Sequence, residues 1–156
     1  MDKKETHIKM AEELEKFETG LAVLYSYYAD QNPDYKQFWT ELATDERTHA
    51  MMLKTFRSLI AEDKLIYAER KFSLRAIEEN YQLLSAHLSF VKRNKVLIRE
   101  ALANAMQFEN LMLEKKTFEV QEGDSEELKR TLSALMEDTQ RHFEKIQKLY
   151  NALGHP

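Results

Sequence analysis

The stretch Asp45-Glu46-Arg47-Thr48-His49 contains two metal-ligating side-chain types, a glutamate and a histidine, three residues apart. Residues three apart on a helix lie on one face, so Glu46 and His49 can reach a common centre. Apolar residues on both sides of this stretch recur at steps of three and four, and the helical face that they define passes through both side chains. Because a buried charge is costly unless it is paired or bound to metal, Glu46-x-x-His49 is a candidate metal site.

Three more ionisable residues fall inside apolar helical stripes. Glu18 follows Phe17 in the first predicted helix, Glu109 follows Phe108 in a later one, and His142 lies in the last stripe. The segment Asp138-Thr139-Gln140-Arg141-His142 corresponds to residues 45–49, so the two halves of the chain repeat one order of residues. Each of these residues alone is most simply a surface or hydrogen-bonded side chain. Together, on four inward stripes, they favour a metal site.

The first half of the chain predicts two antiparallel helices. The first covers about residues 6–30, and Pro33 disfavours helix at the residue before it. Asp34 and Gln37 have the spacing of a capping box that opens the second helix, which we expect to end near Glu62. The link between the two helices is short, which is typical of antiparallel neighbours.

A long connection leads to the second half. Ser73 is expected to cap an extra helix, whose apolar stripe covers residues 74–91 and must bury against its own bundle or a second subunit. A third bundle helix then follows Asn94 and is predicted to run to about Gln121.

A fourth bundle helix closes the chain. Asp124 with Glu127 has the spacing of a capping box at its start, and Gly154 marks its end. Glycine and proline are rare, with 3 and 2 copies, whereas a sheet protein of this size needs more turn residues. The predicted fold class is therefore all-α, as a single domain over residues 1–156.

Composition excludes several classes of function. The net charge of −4 and the lack of a basic stripe argue against a nucleic-acid partner. The absence of cysteine excludes disulfides, thiol catalysis and thiolate metal sites. We find no apolar run suited to a signal peptide or a bilayer span, and we expect a cytoplasmic protein without a membrane partner.

The pattern as a whole resembles the ferritin-like di-iron carboxylate bundles, in which two helices each supply a glutamate and two supply Glu-x-x-His. Within that class the chain most resembles the rubrerythrin-like proteins, over nearly its whole length. The resemblance implies a ferritin-like four-helix bundle of two antiparallel hairpins with an extra helix in the crossover. It also implies iron, as one or two ions, with zinc or manganese as alternatives. The implied metal ligands are Glu18, Glu46, His49, Glu109 and His142.

The same resemblance implies supporting residues. Asp45 and Asp138 would each accept the free ring N–H of the histidine across the bundle, which fixes the tautomer of that histidine. Tyr25, two turns after Glu18 on the same face, would lie near the metals as a hydrogen-bond donor or an electron source. On the residues alone, Tyr25 and its neighbours Tyr27 and Tyr28 are more simply packing residues.

One departure from the family pattern concerns Thr139, which stands where the second Glu-x-x-His has its glutamate. Glu137 lies on another side of the helix, and Asp138 is short and already assigned to a histidine. The site could then hold two metals bridged by water or another anion, or one metal, or none tightly.

Two classes of function remain open at this stage, so the sequence does not decide whether the protein is an enzyme. The first is an oxidoreductase that reduces peroxide or oxidises ferrous iron, with an external electron donor because no cysteine-ligated module is present. The second is a non-catalytic bundle with a partial or lost metal site that serves structure, metal storage or partner binding. A homodimer is expected in either case. His7, His87 and His155 match no motif and are predicted to be surface residues.

Overall fold

A computed structural model of the chain describes residues 1–70, 73–114 and 117–154. In these ranges the chain forms helices and no strand, which confirms the all-α class. None of the described helices has the length and apolar character that crossing a membrane requires. The α-helices are α1 (Lys3–Gln31), α2 (Lys36–Ala61), α3 (Leu74–Arg93), α4 (Ile98–Glu114) and α5 (Glu126–Ala152).

Helix α1 begins earlier than the apolar stripe alone predicts, because Asp2 caps it. The Asp2 carboxylate accepts the Glu5 N–H, and the Glu5 carboxylate accepts the Asp2 N–H. The capping box predicted from Asp34 and Gln37 is wrong. The segment Pro33–Tyr35 instead forms a 3₁₀ turn, and α2 starts without a side-chain cap.

Helices α1 and α2 run antiparallel, as pairs at both ends show. Lys4 Nζ lies 3.0 Å from Asp63 Oδ1 near the start of α1, and Arg47 Nη2 donates to Ser26 Oγ near its end. Helices α4 and α5 also pair antiparallel, with Arg99 near the start of α4 reaching Tyr150 near the end of α5.

Helix α3 packs along α1 in the parallel direction. Lys16 lies over the Tyr81 ring near the start of α3, and Gln31 bonds to the Val91 carbonyl near its end. The absence of a Cβ at Gly20 allows this close approach, since a Cβ there would lie 2.8 Å from Leu84. The apolar stripe of α3 is thus covered by its own chain, and the homodimer stays a prediction. Because α3 runs parallel to α1, it brings the chain to the C-terminal end of α1, where α4 begins.

Helix α4 ends before the predicted boundary at Gln121. Residues 115 and 116 lie outside the described ranges, but residues 117–121 are not helical. The Thr117 N–H donates to the Met112 carbonyl, and Phe118 turns into the core. Burial of Phe118 therefore prevails over the helical periodicity that continues through this region.

The predicted capping box of Asp124 with Glu127 is also wrong, because Asp124 has stronger partners. Its carboxylate is buried and accepts two bonds of 2.6 Å from the Arg70 guanidinium, plus the N–H groups of Ala68 and Gln121. Burial alone would raise the pKa of Asp124, but Arg70 and these backbone bonds outweigh it and lower that pKa. This ion pair joins the connection before α3 to the connection before α5.

Two of the three unmatched histidines are not surface residues. His7 is buried with its ring edge-on to Tyr67, and His87 is half-buried with Nε2 2.8 Å from the Tyr28 hydroxyl. The surface prediction is wrong for both, because each lies on the packed side of its helix. His155 lies outside the described residues.

We expect Asp124→Asn to destabilise the protein by about 3–5 kcal/mol, because Arg70 would stay buried without a counter-charge. The pKa of folded Asp124 lies below its ordinary value of 3.8, so its contribution is present above pH 3.8 and is lost as the pH falls through the folded value. Urea unfolding at pH 7 and at pH 3 measures both effects.

The matched control for this variant is Glu79→Gln, which removes one carboxylate from an exposed pair with Arg75. We expect it to change the free energy of unfolding by roughly 0.5 kcal/mol or less. Equal effects of the two substitutions would show that the Arg70–Asp124 pair does not anchor the connections.

Candidate metal centre

The structure brings the five predicted ligands together at the middle of the bundle. They form two groups, Glu18 with Glu46 and His49, and Glu46 with Glu109 and His142. Within each group one ligand atom per residue lies within 4.8 Å of the others, and Glu46 belongs to both. All five side chains are at most 2% exposed. Each group could hold a metal ion.

Four helices supply these side chains from their buried faces. Helix α1 supplies Glu18, α2 supplies Glu46 and His49, α4 supplies Glu109, and α5 supplies His142. Each polar side chain continues a stripe of buried apolar residues on its own helix, so the site is surrounded by core. The buried apolar neighbours one or two turns away include Leu14, Leu21, Leu42, Leu53, Leu102, Ala105, Leu135 and Ile146.

Both histidines turn Nδ1 toward the glutamates. His49 Nδ1 lies 3.3 Å from Glu46 and 3.8 Å from Glu18. His142 Nδ1 lies 2.8 Å from Glu46 and 3.5 Å from Glu109. The two rings are stacked with centroids 5.5 Å apart. The nitrogen and oxygen donors therefore converge on the same interior space.

The opposite ring nitrogens make the two hydrogen bonds predicted across the bundle. His49 Nε2 lies 2.9 Å from Asp138 Oδ2, and His142 Nε2 lies 3.0 Å from Asp45 Oδ2. A histidine that donates Nε2–H to a carboxylate keeps its Nδ1 lone pair available for a metal. Helices α2 and α5 thus orient each other's histidines reciprocally.

Tyr25 reaches the same centre from α1. Its hydroxyl donates to Glu109 Oε1 at 2.7 Å, and its side chain is fully buried. Burial, followed by the charges of Glu109 and Glu46, raises the pKa of Tyr25 well above its usual value, so the phenol keeps its proton. Tyr25 also packs on the Trp39 ring, with centroids 5.4 Å apart. It is both a packing residue and a hydrogen-bond donor to the site.

Thr139 occupies the inward position of α5 and adds no ligand. It is buried, and its hydroxyl donates to the Leu135 carbonyl of its own helix at 2.8 Å. Glu137 is exposed, so it does not replace the absent carboxylate. One side of the site is therefore lined by a short side chain.

Three of the five side chains, Glu18, His49 and His142, favour the protonated form. Burial lowers the pKa values of His49 and His142, but hydrogen bonds that their rings donate to the glutamates, with the negative charge of those glutamates, outweigh burial and raise the values to about 12 and about 11. Burial, followed by the charge of Glu46, raises the pKa of Glu18 well above its usual value. A metal cation would have to displace these protons, so its binding must strengthen as the pH rises.

Arg141 is a site residue that sequence reasoning missed. Its Nη2 lies 3.0 Å from Asp138 Oδ1 and 3.4 Å from Asp45 Oδ2, so it joins the carboxylates that orient the histidines. The available signal was its position three residues after Asp138 and directly before His142.

The chain was compared with models of protein families, with characterised proteins and with solved structures, and none of the three comparisons gives a match.

We predict that His49 and His142 are doubly protonated in the metal-free protein at pH 8, because their pKa values are raised to about 12 and about 11. Their contribution to stability is full below the unfolded value of 6.5 and is lost as the pH rises through the folded values. Nitrogen NMR of the imidazole rings measures the protonation of each ring.

His7 and His87 are internal controls, since burial lowers the pKa of each and both should be neutral at pH 8. Neutral rings at all four positions would contradict the pairing of imidazolium with buried glutamates.

Proposed function

We propose that the chain is a rubrerythrin-like member of the ferritin-like class, which binds iron at Glu18, Glu46, His49, Glu109 and His142. Its role would be redox chemistry, either peroxide reduction or ferrous iron oxidation. The observation that carries this proposal is the pair of buried glutamate–histidine groups that share Glu46. Core positions are seldom given to so many ionisable groups unless a cation or a chemical task requires them.

The helix arrangement supports a ferritin-like bundle. Helices α1, α2, α4 and α5 each direct ligand-type side chains to one centre, and α3 lies outside along α1. The reciprocal pairs His49–Asp138 and His142–Asp45 give the two halves the same local geometry. That symmetry is expected when two similar hairpins build one site.

The donor set favours iron. Carboxylates with imidazole suit both oxidation states of iron, whereas the soft thiolate ligands typical of copper(I) are excluded by the lack of cysteine. Zinc and manganese accept the same donors and remain alternatives. The charges fit two divalent ions, because those ions and the Arg141 guanidinium would together balance the three glutamates and two aspartates.

The protein residues would act around the metals in distinct ways. Iron, when bound, would supply the change of oxidation state. Glu46 would help to hold metal in either group, because it belongs to both. Asp45 and Asp138 keep the Nδ1 lone pairs directed inward, and Tyr25 holds Glu109 in place. Thr139 would supply no ligand, because its hydroxyl donates to the Leu135 carbonyl.

The alternative is a non-catalytic bundle that retains part of a metal site for structure, storage or partner binding. Thr139 is the observation that favours it, because a di-metal centre loses a bridging carboxylate there. A site with three glutamates can bind a redox-inert ion such as zinc without turnover.

The test is metal analysis of protein purified without added metal, followed by anaerobic titration with ferrous iron and addition of peroxide. We expect up to two ferrous ions per chain and their oxidation by peroxide. His49→Ala and His142→Ala should each lower the iron bound, whereas His87→Ala removes a histidine outside the site and should not. Tight zinc binding without turnover would instead support the non-catalytic bundle, and no metal binding would reject the site.

A second prediction concerns Thr139→Glu, which would restore a second Glu-x-x-His with His142. The variant should bind more iron per chain than a parent that holds fewer than two ions, and it should gain the near-ultraviolet absorption of oxo-bridged ferric pairs. Without metal it should be less stable than the parent, because a buried carboxylate replaces a small hydroxyl side chain. Iron analysis, absorption spectra and urea unfolding provide the measurements.

The matched control is Thr131→Glu, because Thr131 makes the same hydrogen bond to the carbonyl four residues earlier on α5 but lies outside the site. It should change neither the iron content nor the spectrum, and His49→Ala should abolish the gain of the Thr139 variant. Unchanged iron binding in Thr139→Glu would count against a di-metal centre.

A further inference from the structure

The ligand cluster is sealed from solvent, so a metal ion needs a route to it. On the α2–α5 face, the histidine rings connect the cluster to two carboxylates, Asp45 and Asp138, through Nε2. The side chains of these aspartates are 40% and 37% exposed, whereas all five ligand residues are at most 2% exposed. Each imidazole thus crosses the layer of side chains between the ligands and solvent, which we call the wall. Its Nε2 lies at the outer carboxylate and its Nδ1 lies among the buried glutamates.

Arg141 occupies the outer side of this wall. Its Nη2 is 3.0 Å from Asp138 and 3.4 Å from Asp45, and the latter contact uses the same Oδ2 atom that accepts His142 Nε2–H. The Arg141 side chain is 62% exposed, and exposed ion pairs contribute little to stability. The guanidinium can therefore leave the aspartates at small cost.

We propose that Arg141 controls the access of metal cations to the buried site, which rests on the metal-binding function proposed above. An approaching cation would first meet Asp45 and Asp138, where the guanidinium repels it and competes for the same carboxylate oxygens. Once Arg141 is displaced, the cation can replace the Nε2 hydrogen bond of a histidine, and rotation of that ring opens the way inward.

Two other places in the described part of the chain do not offer a comparable route. On the α1 and α4 side, the carboxylate of Glu109 is covered by the fully buried Tyr25. The cavity of about 500 Å³ beside His7 and Tyr67 is lined by none of the five ligands.

The experiment is stopped-flow uptake of Co²⁺ by the metal-free protein, followed by the visible absorption of the bound ion. At low ionic strength we expect Arg141→Gln to load ~30-fold faster than the parent, the effect of removing one unit charge about 4 Å from a divalent cation in water. The difference should fade with added salt, which screens exposed charges.

Two further variants separate control of access from a general charge effect. Lys145→Gln also removes one positive charge from this face, one turn further along α5, where Lys145 pairs with Glu41 rather than with the aspartates. It should change the loading rate much less than Arg141→Gln. Arg141→Lys keeps the charge but not the guanidinium fork, so it should load at a rate between those of the parent and Arg141→Gln.

The outcomes distinguish the role of Arg141 in access from the existence of the metal site. If the parent binds cobalt but Arg141→Gln loads no faster than Lys145→Gln, the role of Arg141 in access is wrong and the metal site stands. If neither the parent nor any variant binds cobalt, the metal site itself is rejected, and the access route with it. A rate gain that salt does not weaken would also overturn the proposal, because it would reflect loosened packing.

Discussion

The structure depends on how the charges of five ionisable side chains are offset where four helices bury them together. Three glutamates in an apolar core would be strongly destabilising if they stayed charged and unpaired. Here the raised pKa values of both histidines supply positive charge beside them, and burial favours the protonated form of Glu18. The two imidazolium groups place Nδ1 2.8–3.8 Å from glutamate oxygens. In the metal-free site, protons on these groups therefore offset part of the buried negative charge.

This compensation requires a fixed geometry, and the rest of the chain provides it. Trp39 packs against Tyr25 and Tyr28 in the core beside the site, with ring centroids 5.4 and 4.8 Å away. At another place the buried pair of Arg70 and Asp124 joins the two connecting segments. Dense packing has few alternative arrangements, so side chains on different helices keep hydrogen-bond distances to one another.

Sequence reasoning was successful where helical periodicity determines position. It identified the five clustered residues and both histidine–aspartate pairs, because residues three and four apart must share a helical face. It failed where a local signal competes with a distant partner. Asp124 has the spacing of a cap, yet it binds Arg70, a residue far away in sequence that periodicity cannot reveal. Arg141 was missed for the same reason, since its role depends on the approach of α2 to α5.

Thr139 shows how the same constraint limits the chemistry of the site. A glutamate at this inward position would add a fourth buried carboxylate to the cluster, and two histidines of the described residues face that cluster to supply positive charge. Without metal, that extra charge would need another proton or would destabilise the bundle. The hydroxyl of Thr139 instead donates to the Leu135 carbonyl within α5, and the side chain adds no charge to the cluster. With threonine at position 139, the core therefore avoids the cost of another buried carboxylate in the absence of metal.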